Sequence, residues 1–121
     1  MRRCLIIDDS KIIRMVSRKI IQELGFDVDE SGDGQHAIEQ CQETMPDVIL
    51  LDWKLPEMDG IDVLKALRAL PGGEQPAVLF CTTETDDAHI KDAIDTGATD
   101  YVIKPFDGET IHRKFASIGL L

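Results

Sequence analysis

Short apolar runs alternate with segments of helical periodicity along the whole chain. The first run, Cys4-Leu5-Ile6-Ile7, stops at Asp8-Asp9-Ser10. A helix pattern follows, with Ser10 placed to cap it and Ile12, Ile13, Val16, Ile20 and Leu24 spaced along one face. Gly25 is placed to end that helix. A weak strand near Val28 to Ser31 leads through Asp33-Gly34 into a second helix carrying Ala37, Ile38 and Cys41, which Pro46 bars from continuing. Val48-Ile49-Leu50-Leu51 is the cleanest strand and runs straight into Asp52. A third helix carries Val63, Leu64, Leu67 and Leu70 and is closed by Pro71-Gly72-Gly73. A fourth strand, Ala77 to Cys81, ends at Thr82-Thr83. A helix from about Asp86 to Thr96 is capped by Gly97. The fifth strand, Tyr101-Val102-Ile103, enters Lys104-Pro105, and a last helix carries Ile111, Phe115 and Ile118.

Five strands alternating with five helices predict right-handed crossovers and a parallel α/β sheet covered on both faces. Near-continuous apolar strands agree, because strands buried on both faces have no polar side to show. In such sheets function gathers beyond the carboxyl ends of the strands. Those positions are Asp8 and Asp9, Asp52, Thr82 and Lys104.

Composition narrows the reading. At 121 residues and 43% hydrophobic, the chain predicts one domain with a packed core, spanning 1–121. Thirteen Lys+Arg against 23 Asp+Glu leave a formal charge of −10, which disfavours binding nucleic acid through a broad surface. Three cysteines, Cys4, Cys41 and Cys81, form no even disulfide framework and point to a reducing compartment. Cys4 and Cys81 lie in apolar runs and read as small buried hydrophobes. No segment approaches the roughly 18 apolar residues of a membrane span. The run after Arg2-Arg3 is too short for a signal peptide, so the expected location is the cytoplasm. His36, His89 and His112 are scattered and read as ordinary surface residues.

Three aspartates, a hydroxyl and a lysine thus converge at one sheet edge. Taken singly, each has a structural reading: a strand-ending Asp or Thr caps a helix, and a Lys before Pro sits in a loop. Their conjunction at strand carboxyl ends carries the inference. Converging carboxylates repel unless a cation is present. All-oxygen donors without a His or Cys cluster select Mg²⁺ over zinc. A carboxylate can attack phosphorus to give an acyl phosphate, whose equatorial oxygens Mg²⁺, Lys104 and Thr82 can serve.

The segments Leu5-Ile6-Ile7-Asp8-Asp9-Ser10, Leu50 to Gly60 and Tyr101-Val102-Ile103-Lys104-Pro105-Phe106 resemble those of response-regulator receiver domains, and Trp53 after Asp52 those of CheY-like members. The resemblance spans essentially the whole chain. It implies a flavodoxin-like, doubly wound sheet of order 2-1-3-4-5. It further implies Asp52 as phosphoacceptor, with Mg²⁺ on Asp9, Asp52 and the Lys54 backbone carbonyl, and Asp8 acting through water. Lys104 would pair with the phosphoryl group across a cis bond to Pro105. Thr82 and Tyr101 would form the switch, though a strand tyrosine also simply packs. Thr83 stands where the family usually has a smaller residue. With Lys54 and Glu84 flanking the approach to Asp52, it would tune how fast the phosphoryl group is lost.

The implied partners are a histidine kinase or histidine phosphotransferase, and a downstream protein bound through the fourth helix, fifth strand and fifth helix. Lys11, Arg14, Arg18 and Lys19 make the first helix basic, which reads either as a solvated face or as a dock for an acidic partner. The stretch from Thr85 to Asp100 holds five aspartates, Asp86, Asp87, Asp92, Asp95 and Asp100, and would prefer basic or neutral partners. With no output domain expected, three classes of function remain. The first is a regulator, in chemotaxis or another pathway, whose phosphorylated form binds a target. The second is a relay intermediate or phosphate sink. The third, an aspartyl-nucleophile phosphatase or phosphotransferase, is disfavoured because Lys54 stands where a second acidic residue is needed. The chain is therefore expected to catalyse only its own phosphorylation and dephosphorylation.

Overall fold

The computed structural model describes residues 2–83 and 87–121. Along the chain run β1 Arg3–Ile7, α1 Lys11–Glu23, β2 Asp27–Ser31, α2 Gly34–Glu43, β3 Val48–Asp52, α3 Gly60–Ala69, β4 Ala77–Thr82, α4 Asp87–Thr96, β5 Asp100–Ile103 and α5 Gly108–Ser117. All neighbouring strands are parallel, in the order β2-β1-β3-β4-β5. Both the class and the order match expectation.

The alternation of side chains along each strand divides the core in two. Leu5, Ile7, Ile49, Leu51, Val78 and Phe80 face α2 and α3. Cys4, Ile6, Val48, Leu50, Leu79, Cys81 and Val102 pack with Ile21 of α1 and with Ile111 and Phe115 of α5. Phe115 meets Phe26 edge-on at 5.3 Å. Each fully buried side chain of this size contributes roughly 1.5–3 kcal/mol, which is why β3 tolerates no polar residue before Asp52. The three cysteines are buried and free, as expected for Cys4 and Cys81. Burial pushes the Cys41 thiol up to about 11.

Helix starts follow the polar punctuation. Ser10 Oγ accepts from the Ile13 N–H at 3.3 Å, and Asp33 and Asp107 accept at 2.8 Å from the N–H groups of His36 and Thr110. Gly25, at φ 93°, supplies the left-handed turn after α1.

The face of α1 departs from expectation. Ser17 and Ile21 are buried, while Ile12, Met15 and Val16 are 72%, 60% and 52% exposed. A buried serine lies near the centre of the inward stripe. A pattern read from apolar residues alone therefore rotates the helix toward Ile12 and Val16. The basic face changes too: Arg14 and Arg18 both pair with Glu30 of β2, at 3.0 and 2.5 Å.

At the amino edge of the sheet, Arg68 of α3 turns inward. Its Nε and Nη2 donate to the Gly97 carbonyl at 2.9 and 2.6 Å. Its Nη1 donates to the carbonyls of Gly73 and Pro76 at 2.9 and 2.8 Å. One side chain thereby ties α3, the turn before β4 and the end of α4 together.

Candidate functional site

Parallel register brings the strand ends level: Ile7 pairs with Leu51, Asp52 with Cys81, and Thr82 with Ile103. Asp8 follows β1 and is buried. Its N–H donates to the Ser31 carbonyl at 3.1 Å, and its Oδ1 accepts from the Ser10 N–H at 2.9 Å. Asp9 is exposed. Asp52 closes β3 and is buried, as is Thr82 at the end of β4. The Lys104 N–H donates to the Thr82 carbonyl at 2.9 Å, and the Lys104–Pro105 bond is cis, as expected. Gly60 admits no larger residue: a Cβ there would lie 2.5 Å from the Asp52 carbonyl oxygen.

Lys104 is the hub. Its Nζ donates to Asp8 Oδ2 at 2.6 Å and to Asp52 Oδ1 at 2.9 Å, and its side chain is only 12% exposed. Burial raises the Asp52 carboxyl pKa above the ordinary value, and Asp8 and Asp9 push the same way against Lys104. For Lys104, burial pulls down, but its hydrogen bonds to two carboxylates outweigh it and hold the ammonium above its usual range. One cation shared by two acids gains from both, whereas Asp52 has two acidic neighbours and a share of one lysine.

One carboxylate oxygen each from Asp8, Asp9 and Asp52 lies within 4.8 Å of the others. This all-oxygen set, with no imidazole or thiolate, fits Mg²⁺ and leaves room for water. It opens into a cleft of about 460 Å³ lined by Asp9, Asp52, Lys54, Thr83 and Lys104, among others.

The remaining expected residues fall around this cleft. Lys54 and Thr83 are exposed at its rim, with the Lys54 Nζ 6.0 Å from the Trp53 ring. Glu84 lies outside the described residues, as does Asp86. Tyr101 is half-buried against the α2–α3 side of the core. The Lys114 Nζ lies 4.5 Å above its ring and pairs with Asp100 at 3.2 Å. On α4, Asp95 pairs with Lys91, and Asp87 and Asp92 are exposed.

Two participants escaped the sequence reading. His89, expected on the surface, is half-buried with its ring edge-on to Trp53 at 5.0 Å and 5.7 Å from Phe80. Arg14 donates from Nη1 to the Asp8 carbonyl at 2.6 Å. Neither has a spacing signal, because each acts by reaching across from its own helix.

Comparison with known proteins agrees with this geometry. The family model for the response regulator receiver domain matches residues 4–116. The chemotaxis protein CheY of Bacillus subtilis is 34% identical over 110 residues, covering 90% of each chain. The crystallised CheY4 of Vibrio cholerae superposes with a TM-score of 0.92 at 31% identity over 98% of each chain. The receiver domain of a Pseudomonas aeruginosa sensor histidine kinase, solved with a magnesium ion coordinated in its active-site cleft, gives a TM-score of 0.88 at 25% identity over 98% of each. In sequence and in architecture alike, the chain belongs to the response regulator receiver domains of two-component systems, of the CheY type.

Proposed function

We propose that Asp52 accepts a phosphoryl group from the phosphohistidine of a kinase or phosphotransferase, and that this changes which proteins the chain binds. The observation that carries the reading is the sharing of one buried ammonium between Asp8 and Asp52 at the mouth of an acidic cleft. Asp9, Asp52 and the Lys54 backbone carbonyl would hold Mg²⁺, with Asp8 acting through water. The magnesium in the cleft of the Pseudomonas aeruginosa receiver supports that choice. Bound there, the metal supplies positive charge to the phosphoryl oxygens.

The chain's own residues do the rest. An Asp52 carboxylate oxygen attacks phosphorus, a new O–P bond forms, and the P–N bond to the histidine breaks, returning its electron pair to the imidazole. Lys104 transfers its hydrogen bonds from carboxylate to phosphoryl oxygen. The Thr82 hydroxyl donates to another, and Tyr101 moves with it as the switch. No external substrate is turned over, so the chain is a regulator and not an enzyme in the usual sense, acting in the cytoplasm.

Partner docking follows the apolar surface of α1 in preference to its basic residues. Ile12, Val16, Pro105 and Phe106 line a second hollow of about 340 Å³ that shares Thr83 and Lys104 with the acidic cleft. A phosphodonor seated on that hollow reaches Asp52 directly. The downstream target would bind α4, β5 and α5.

Incubation with Mg²⁺ and acetyl phosphate tests the chemistry. Intact mass should rise by one phosphoryl group in the wild type and remain unchanged in Asp52→Asn. Modification of the Asn variant would refute the assignment. A pull-down with and without the phosphodonor separates a target-binding regulator from a relay intermediate, since only the former has a state-selective partner.

A further inference from the structure

We propose that Arg14 is a positioning residue for the metal site, holding the peptide that joins Asp8 to Asp9. This rests on the reading of the acid cluster as a Mg²⁺ site. Both polar groups of the Asp8 backbone have partners. Its N–H donates to the Ser31 carbonyl at 3.1 Å, and its C=O accepts from Arg14 Nη1 at 2.6 Å. That C=O belongs to the peptide linking two of the three clustered carboxylates, Asp8 and Asp9. Fixing it sets where the Asp9 side chain departs from the backbone. Asp9 is exposed, so little packing is there to orient it otherwise.

The guanidinium is itself held. Nε donates to Glu30 at 3.0 Å, Glu30's other oxygen accepts from Arg18, and the Glu30 carbonyl accepts from Gln40 of α2 at 3.3 Å. Arg14 and Glu30 side chains are about a fifth exposed, 18% and 25%. The guanidinium also lies close over the turn after β2, where a Cβ at Gly32 would sit 3.3 Å from Nη1. A planar fork reaching two acceptors is a task for arginine and not for lysine.

Arg14 occupies the Asp8 carbonyl oxygen and pairs its charge with Glu30, leaving the carboxylate oxygens to the metal. Lys104, by contrast, occupies two of those carboxylate oxygens. Arg14 therefore fixes the backbone of the cluster without competing for its ligands. Groups behind a metal's ligands commonly act in this way.

Mg²⁺ titration of the full chain, without phosphodonor, tests this by the fluorescence of Trp53, the only tryptophan, and by calorimetry. Near-UV dichroism verifies the fold of each variant. Arg14→Ala should weaken Mg²⁺ binding roughly 10- to 100-fold, the usual effect of losing a partner behind the ligands. Arg14→Lys, which keeps the charge but reaches one acceptor, should fall between. Arg18→Gln removes the other ion pair of Glu30 and should change Mg²⁺ affinity by no more than about twofold, as for a partly exposed pair. Wild-type affinity in Arg14→Ala, or an equal loss in Arg18→Gln, would overturn the proposal by reducing Arg14 to a tie between α1 and β2. Should Arg14→Ala not fold, Arg14→Lys against Arg18→Gln decides on the same terms. No Mg²⁺ response in the wild type would instead refute the metal reading, and the positioning role with it.

Discussion

Replacing Asp52 by Asn should stabilise the metal-free protein, although it removes a hydrogen-bonded ion pair. Oxygens of Asp8 and Asp9 lie within 4.8 Å of an Asp52 oxygen. At an effective dielectric constant of about 20, each such repulsion is about 3.5 kcal/mol, or about 7 together. The Lys104 ammonium at 2.9 Å offsets about 6 kcal/mol on the same scale. The remainder, about 1 kcal/mol, opposes ionisation, and burial acts with the same sign. A gain of about 1–2 kcal/mol is therefore expected at neutral pH, or roughly 3–10 °C in Tm for a domain of this size.

The pH dependence carries the sign. The folded Asp52 pKa is raised above its unfolded value, chiefly by burial. Its contribution to stability is present below the ordinary carboxylate range and is lost as pH rises through the raised folded value. The Asn variant lacks that decline. The two proteins should be closest in acid and diverge toward neutrality. The assay is thermal or urea unfolding in chelator across that window. Adding Mg²⁺ should then favour the wild type by about 2.7 kcal/mol at 100 times its Kd, provided the variant does not bind. An Asn variant less stable than wild type at neutral pH, or a gap that does not widen with pH, would refute the electrostatic reasoning.

Two further outcomes are expected. Trimming the rim in Thr83→Ala or Lys54→Ala should speed first-order loss of phosphate from the purified phosphoprotein by up to roughly fivefold, the counterpart of about 1 kcal/mol; equal or slower loss in both would remove the gate. Arg68→Met leaves the carbonyls of Gly73, Pro76 and Gly97 without their donor and should cost about 3 kcal/mol in urea unfolding, while acetyl phosphate still modifies Asp52.

What was legible in the sequence followed from burial and from polar punctuation. Val48 to Leu51 must be covered on both faces, so the run announces a central strand, and Asp52 stands out because it ends the run. Ser10 and Asp33 mark helix starts because their side chains satisfy N–H groups that no helix can. The carboxylate and lysine constellation was readable for the same reason, since each member ends or follows a strand. The face of α1 was not, because hydrophobicity does not distinguish buried Ser17 from exposed Val16 by size or by contact. Arg14 and Arg68 were invisible in their structural roles. An arginine in a helix pattern reads as solvated, and nothing in the order of residues says that it folds back onto carbonyls contributed by other elements.

The clamp at Gly97 has a mechanical consequence for α4. Its far end is tied down by Arg68, while His89, in its first turn, rests against Trp53, the residue after Asp52. The ten residues of α4 span about 15 Å. A rod fixed at one end answers a nudge at the other by swinging about the fixed point. A displacement of about 1 Å at Asp87 becomes a tilt of about 4° over that length. Such a motion would be largest beside the cleft and fade toward Gly97, where Arg68 would serve as the fulcrum.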